Sequence, residues 1–221
     1  MSSQVVAIVP AYNEEKTIGG VVKTLVDSGV FQEVIVVDDG SQDATALLAE
    51  TAGASRVIRS ESNSGKGQTM LLGVRATTAE IICFFDGDLI GLTVDHIRSL
   101  TEPVVAGRLA MNVGTVDRGA IFNTLARRLP AVSGQRVLRR EIFTNIPARY
   151  IGGFGIEVAL NYCCRLARLP IGRIFLPGVS MIRKVQKVGW WSGLLAYARM
   201  WWSVLGRWLR VRLDRKNFFI D

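Results

Sequence analysis

The chain has 221 residues, 49% of them hydrophobic, enough to bury one sizeable core without division into independent domains. Its formal charge of +8 conceals an asymmetry, because residues 1–100 carry 7 Lys and Arg against 13 Asp and Glu, whereas residues 101–221 carry 20 against 6. An acidic half suits a metal and a basic half suits phosphates or an anionic surface, while zinc-finger spacing, an aromatic RNA-binding motif and a purely basic helix are all missing, which argues against nucleic acid.

The amino terminus lacks a basic region followed by a long apolar core, so a cytoplasmic protein is expected. Val5–Val9 is a short apolar run suited to a central parallel strand, ended by Pro10. A helix is predicted next: Asn13 is placed to cap it, Glu14 and Glu15 suit its positive end, Ile18, Val21, Val22 and Leu25 share a face, and Gly29 stops it. Val34–Val37 reads as a second strand running into Asp38-Asp39-Gly40-Ser41, and Asp43–Thr51 as a second helix. This βαβα order predicts an α/β fold with a mostly parallel sheet.

A third strand at Arg56–Ile58 leads into Asn63-Ser64-Gly65-Lys66-Gly67 and a helix from Met70. The Gly-Lys-Gly is not a phosphate loop of the Walker type, since Gly67 stands where Ser or Thr is required and Ser60 where the first glycine is required. No Gly-x-Gly-x-x-Gly follows the first strand either. Lys66 can still set one cation beside a diphosphate. Ile81–Phe85 is a run buried on both faces that ends in Asp86-Gly87-Asp88. Two carboxylates at a strand end in an α/β sheet face the crevice where ligands collect, and Gly87 lets both approach one hard cation, Mg²⁺ or Mn²⁺, that would neutralise a diphosphate. The plain alternative is a polar turn closing the strand.

The three cysteines, Cys83, Cys163 and Cys164, form no CxxC pair and read as reduced packing residues. The single histidine, His96, reads as a solvated helix position, and no Gly-x-Ser-x-Gly accompanies it, which sets a Ser-His-Asp hydrolase aside.

The ordered series Pro10-Ala11-Tyr12-Asn13-Glu14, Asp38-Asp39-Gly40-Ser41, Asn63-Ser64-Gly65-Lys66-Gly67 and Asp86-Gly87-Asp88 resembles the nucleotide-sugar half of a family 2 glycosyltransferase of the GT-A fold. That resemblance implies that Pro10, Ala11, Tyr12, Glu14, Asp38, Asp39 and Ser41 hold base and ribose. It also implies that Asp86 and Asp88 bind the diphosphate through a divalent metal. In the second half, Ser133-Gly134-Gln135-Arg136 resembles the acceptor segment of dolichol-phosphate mannosyltransferase relatives, which casts Arg118, Ser133 and Arg136 as ligands of an acceptor phosphate. Arg127, Arg128, Arg139 and Arg140 read instead as solvated helix faces. Gly153-Phe154-Gly155-Ile156-Glu157 is similar to a Gly-x-Gly-x-Glu segment of those enzymes and of glucosyl-3-phosphoglycerate synthases, and makes Glu157 the candidate for the sugar or acceptor pocket.

Two departures stand out. Ile90 occupies a position where the lipid-linked group often has Gln, and Ser180–Lys184 lacks the metal-binding His of the phosphoglycerate enzymes. Arg183, or Lys184, is then expected to supply positive charge over the diphosphate. Residues 190–213 place Trp191, Leu194, Leu195, Ala198, Trp202, Leu205 and Leu209 on one helical face and Arg199, Arg207 and Arg210 on the other. With no stretch of about 20 apolar residues this segment does not span a bilayer, but its pattern suits an anionic membrane surface. The expectation is a catalytic domain over 1–188, with a nucleotide-sugar half at 1–100 and an acceptor half at 101–188, followed by an interfacial tail at 189–221. Such a protein would be peripheral on the cytoplasmic membrane face and would move a hexose from a nucleoside-diphosphate sugar to polyprenyl phosphate. The alternatives are a small soluble phosphorylated acceptor such as 3-phosphoglycerate, or a membrane-bound nucleotide-sugar binder without turnover.

Overall fold

A computed structural model describes residues 4–116, 133–151 and 155–181. The strands and helices alternate: β1 (Val5–Ala11), α1 (Ile18–Asp27), β2 (Glu33–Asp38), α2 (Thr45–Thr51), β3 (Arg56–Arg59), α3 (Lys66–Arg75), β4 (Ile81–Phe84), β5 (Leu89–Ile90), α4 (Val94–Val105) and β6 (Met111–Val116). After residues 117–132 come β7 (Arg136–Arg139), α5 (Arg140–Thr144), a 3-10 turn (Ala148–Tyr150), α6 (Gly155–Leu166), β8 (Ile171–Leu176) and β9 (Ser180–Met181).

The main sheet has the order β3-β2-β1-β4-β7-β6-β8, and β5 pairs with β9 in a small separate ribbon. Strands β1 to β4 are parallel, as are β6 and β8; only β7, between β4 and β6, runs the other way. Successive residues of each central strand go to opposite faces, so the apolar runs feed two cores at once. Val6, Ile8, Ile35, Val37, Ile82 and Phe84 pack under α3, α5 and α6, whereas Ala7, Val9, Val34, Val36, Ile81 and Cys83 pack under α1, α2 and α4. The expected α/β fold with a mostly parallel sheet is what forms.

Some boundaries move. Helix α1 begins at Ile18 with Thr17 as its cap residue, not at Asn13, because Asn13 adopts φ 54° and gives its side chain to the neighbouring loop. Helix α3 begins at Lys66, four residues before Met70, since Gly65 at φ 88° turns the chain directly into it. Arg139 closes β7 and Arg140 opens α5. Residue 100, where the nucleotide-sugar half was expected to give way to the acceptor half of the same domain, lies inside α4, and both halves contribute strands to one sheet. His96 lies in the first turn of α4, where its ring accepts the Thr93 backbone N–H.

Candidate active site

Strands β1 to β4 are parallel and end at one edge of the sheet, and the loops after β1, β2 and β3 are stitched together there. The backbone N–H of Asn13 donates to Ser41 Oγ at 2.9 Å, Gln42 N–H donates to Asn13 Oδ1 at 2.9 Å, and Glu14 N–H donates to Thr45 Oγ1 at 2.8 Å. Asp38 is fully buried; its Oδ1 accepts from Ser41 N–H, and its Oδ2 lies 3.3 Å from Arg59 Nε. Asp39 accepts three bonds of 2.8 Å from the third loop, from the Ser64 backbone and hydroxyl and from Gly65 N–H. A carboxylate at the start of α3 also meets the positive end of that helix. Asp38, Asp39 and Ser41, expected as contacts to base and ribose, lie at this edge and also fasten the loops to one another, holding their backbone in shape. Pro10 and Ala11 are buried at the end of β1, while the Tyr12 ring is exposed beside them.

The other side of the crevice is delivered by the reversed strand. Because β7 is antiparallel to β4, with Arg136 opposite Phe84, the segment entering β7 meets the segment leaving β4. A Cβ added at Gly134 would stand 2.5 Å from Asp86 Cγ, so the Asp86 carboxylate rests directly on the Gly134 backbone. Gln135 Nε2 donates to Asp86 Oδ2 at 2.8 Å. From the first turn of α3, Lys66 Nζ reaches Asp86 Oδ1 at 2.6 Å and Glu157 Oε1 at 2.9 Å, and Glu157 itself sits in the first turn of α6. Lys66 thus joins two acids from opposite halves of the chain. Burial by itself would lower its pKa, but Asp86 and Glu157 outweigh that and hold the ammonium above the usual lysine range.

Arg136 and Ser133, expected at an acceptor phosphate, are both engaged inside the protein. The Arg136 side chain is fully buried: Nε and Nη2 donate to the Ser133 carbonyl at 3.1 and 2.5 Å, and Nη1 donates to the Glu157 carbonyl at 3.4 Å. The Ser133 hydroxyl, also buried, faces the Gly114 carbonyl at 2.5 Å and Gln135 Oε1 at 2.7 Å. The guanidinium is enclosed in this structure and faces backbone carbonyls. Its burial lowers the Arg136 pKa, and the nearby Glu157 and Asp86 counter only part of that effect. Arg136 is better described as the buried counter-charge beneath the pocket. Arg118, Arg183 and the 190–213 segment lie outside the described residues.

Among the described residues no group of three or more His, Cys, Asp or Glu is placed to hold a metal. The hard-oxygen donors at the site are Asp86 and Asp88. Both Asp86 oxygens already accept from Lys66 and Gln135, so a cation there would compete with an ammonium, whereas Asp88, half-buried on the far side of Gly87, carries the charge best suited to it. One carboxylate fits Mg²⁺ or Mn²⁺ when substrate phosphates and water complete the shell. The spacing of Ser133 and Arg136 concealed Gln135, an uncharged residue whose contact with Asp86 appears only when β7 lies beside β4.

Glycosyl transferase family 2 matches residues 6–165, most of the chain. Glucosyl-3-phosphoglycerate synthase of Mycolicibacterium smegmatis is 30% identical over 191 residues, spanning 69% of this chain and 61% of that protein. Glycosyltransferase AglJ of Haloferax volcanii is 33% identical over 176 residues, spanning 71% and 57%. The chain therefore spans about six-tenths of the length of these curated relatives. The crystal structure of the Mycobacterium tuberculosis glucosyl-3-phosphoglycerate synthase with Mn²⁺, uridine diphosphate and glucosyl-3-phosphoglycerate superposes with a TM-score of 0.71 at 26% identity, covering 85% of this chain and 75% of that one. The loops, the Asp-Gly-Asp strand end and this breadth of match agree: the chain belongs to glycosyl transferase family 2, with the GT-A fold.

Proposed function

We propose that this protein transfers a hexose from a nucleoside-diphosphate sugar to a small phosphorylated acceptor such as 3-phosphoglycerate. The observation that carries the transfer reading is the Asp86–Lys66–Glu157 bridge at the carboxyl edge of the sheet, next to Asp88. The named relatives support the acceptor: a chain alike in fold binds uridine diphosphate, Mn²⁺ and glucosyl-3-phosphoglycerate.

In this reading Asp88 would hold Mg²⁺ or Mn²⁺ with the diphosphate, and the ion would supply the positive charge that stabilises the departing nucleoside diphosphate. The protein's own groups do the rest. Asp86 and Glu157 offer carboxylate oxygens to sugar hydroxyls, and Lys66, on a flexible stem, moves between these acids and an incoming phosphate. Its charge is preserved throughout, since the raised pKa keeps it protonated at any physiological pH. An acceptor that reacts through a hydroxyl needs a base, and Glu157 is the acid beside the pocket that can take or orient that proton.

The Trp and Arg pattern of residues 190–213 favours a second reading, in which polyprenyl phosphate is the acceptor at the cytoplasmic face of the membrane. No described helix is long and apolar enough to cross a membrane. One experiment separates the two. Radiolabelled UDP-glucose with Mn²⁺ is supplied with 3-phosphoglycerate or with undecaprenyl phosphate in anionic vesicles, using the full chain and its Asp88→Asn variant. The proposal expects product with phosphoglycerate and loss of metal-dependent nucleotide binding in the variant, with the far-ultraviolet spectrum unchanged. Product with the lipid alone, together with sedimentation on vesicles that vanishes when residues 190–221 are removed, would establish the second reading in its place.

A further inference from the structure

We infer that Gln135 is the positioning residue for Asp86, and that its side-chain amide sets the direction in which this carboxylate faces the pocket. The inference rests on the transfer reading above, which gives Asp86 something to face.

Gln135 is fully buried, and both ends of its amide are engaged. Nε2 donates to Asp86 Oδ2 at 2.8 Å, and Oε1 lies 2.7 Å from Ser133 Oγ, whose single proton is shared with the Gly114 carbonyl. A flipped amide would set its oxygen against a carboxylate oxygen, two acceptors with no proton between them, so the orientation is determined by Asp86. The residue is also anchored through its backbone, because Gly114 N–H on β6 donates to the Gln135 carbonyl at 2.9 Å. The contact with Asp86 therefore originates one residue before β7, at a backbone position tied to β6.

Lys66, which also holds Asp86, is a partner of a different kind. Lys66 is shared with Glu157, sits on a long side chain that retains 21% of its exposure, and is the natural partner of an arriving phosphate. When a diphosphate draws Lys66 away, the Gln135 bond to Oδ2 remains and resists a swing of Asp86 about its short side chain. Gly134 makes the arrangement possible, since any Cβ there would push the carboxylate off its seat. An amide is also the appropriate donor. It donates without titrating itself and leaves the carboxylate able to accept from a sugar hydroxyl.

The test uses the full chain with UDP-glucose and Mn²⁺ as the probe, in kinetics and calorimetry. Gln135→Leu removes both amide functions and should lower kcat/KM by roughly ten- to a hundredfold, the equivalent of one hydrogen bond to a charged group. That loss should vanish in an Asp86→Asn background, since the two substitutions act on one contact. Gln135→Glu keeps the shape and guards against a variant that fails to fold. Protonated, the new acid donates to Asp86 as the amide does; ionised, it repels it. Its kcat/KM should stay near the wild-type value at low pH and fall as pH rises, along a limb that the wild type lacks. If both variants only lowered the melting temperature, with kcat/KM and the pH profile unchanged beside an active wild type, Gln135 would be packing and the inference overturned. A wild-type protein that neither bound nor turned over UDP-glucose or any other sugar nucleotide would instead sink the transfer reading, and the role of Gln135 with it.

Discussion

Substituting Gly134 by Ala adds a single methyl group at the most crowded point of the site. The new Cβ would lie 2.5 Å from Asp86 Cγ and under 3.0 Å from both of its oxygens, separations that real Cβ atoms do not show. Restoring an ordinary carbon contact requires the carboxylate to move by about 1 Å. A long side chain could yield cheaply, but Asp86 is short and pinned by Lys66 at 2.6 Å and Gln135 at 2.8 Å, so the shift breaks or stretches both bonds. Losing charge-assisted hydrogen bonds in this half-buried place costs about 2–4 kcal/mol, which for a chain of this size lowers the melting temperature by roughly 4–15 °C. Misplacing a group at the reacting centre by about 1 Å costs on the order of a hundredfold in kcat/KM. Gly20→Ala is the internal control: it lies within α1 with nothing inside 4 Å of the added methyl, and helix propensity makes it neutral or stabilising by up to about 1 kcal/mol. Melting by circular dichroism and donor turnover with UDP-glucose and Mn²⁺ would be compared across the two variants. A Gly134→Ala protein that melted within 1 °C of wild type and kept its kcat/KM within about twofold would show that the Asp86 carboxylate does not rest where the structure puts it.

Two further predictions concern charge and burial. Replacing Lys66 by Met leaves Asp86 and Glu157 facing each other without their shared cation, and should cost about 2–4 kcal/mol in chemical denaturation, with Lys66→Arg milder. Because the folded lysine pKa is raised above the ordinary 10.5, its contribution is complete below that value and disappears only as pH climbs through the folded one. The difference between wild type and Lys66→Met should therefore stay constant from pH 7 to 9; a difference that shrank steadily over that range would contradict the pairing. Burial pushes the Cys164 thiol up to about 12, and raises Cys83 and Cys163 as well, so none offers a thiolate near neutrality. Ellman's reagent at pH 8 should find no reactive thiol in the native protein and three after denaturation, and rapid native labelling would place at least one cysteine at the surface instead.

The first 90 residues declare much of themselves in sequence. Runs such as Val34–Val37 and Ile81–Phe84 are apolar at every position, which only a strand covered on both faces can bury, and the loops after them carry Asp38, Asp39, Asp86 and Asp88 to one edge simply because parallel strands end together. Local pattern also located Glu157 and Lys66 as candidates. It said nothing of their meeting, because Lys66 and Glu157 are 91 positions apart and a charge does not encode its partner. The same limit holds elsewhere. Asn13 resembles a helix cap until the second loop lies beside it and takes its side chain, and nothing local shows that Arg136 is buried until β7 is threaded backwards between β4 and β6. That reversal is a property of the whole sheet, and it alone buries the guanidinium, sets Gly134 beneath Asp86 and turns an unremarked glutamine toward the carboxylate.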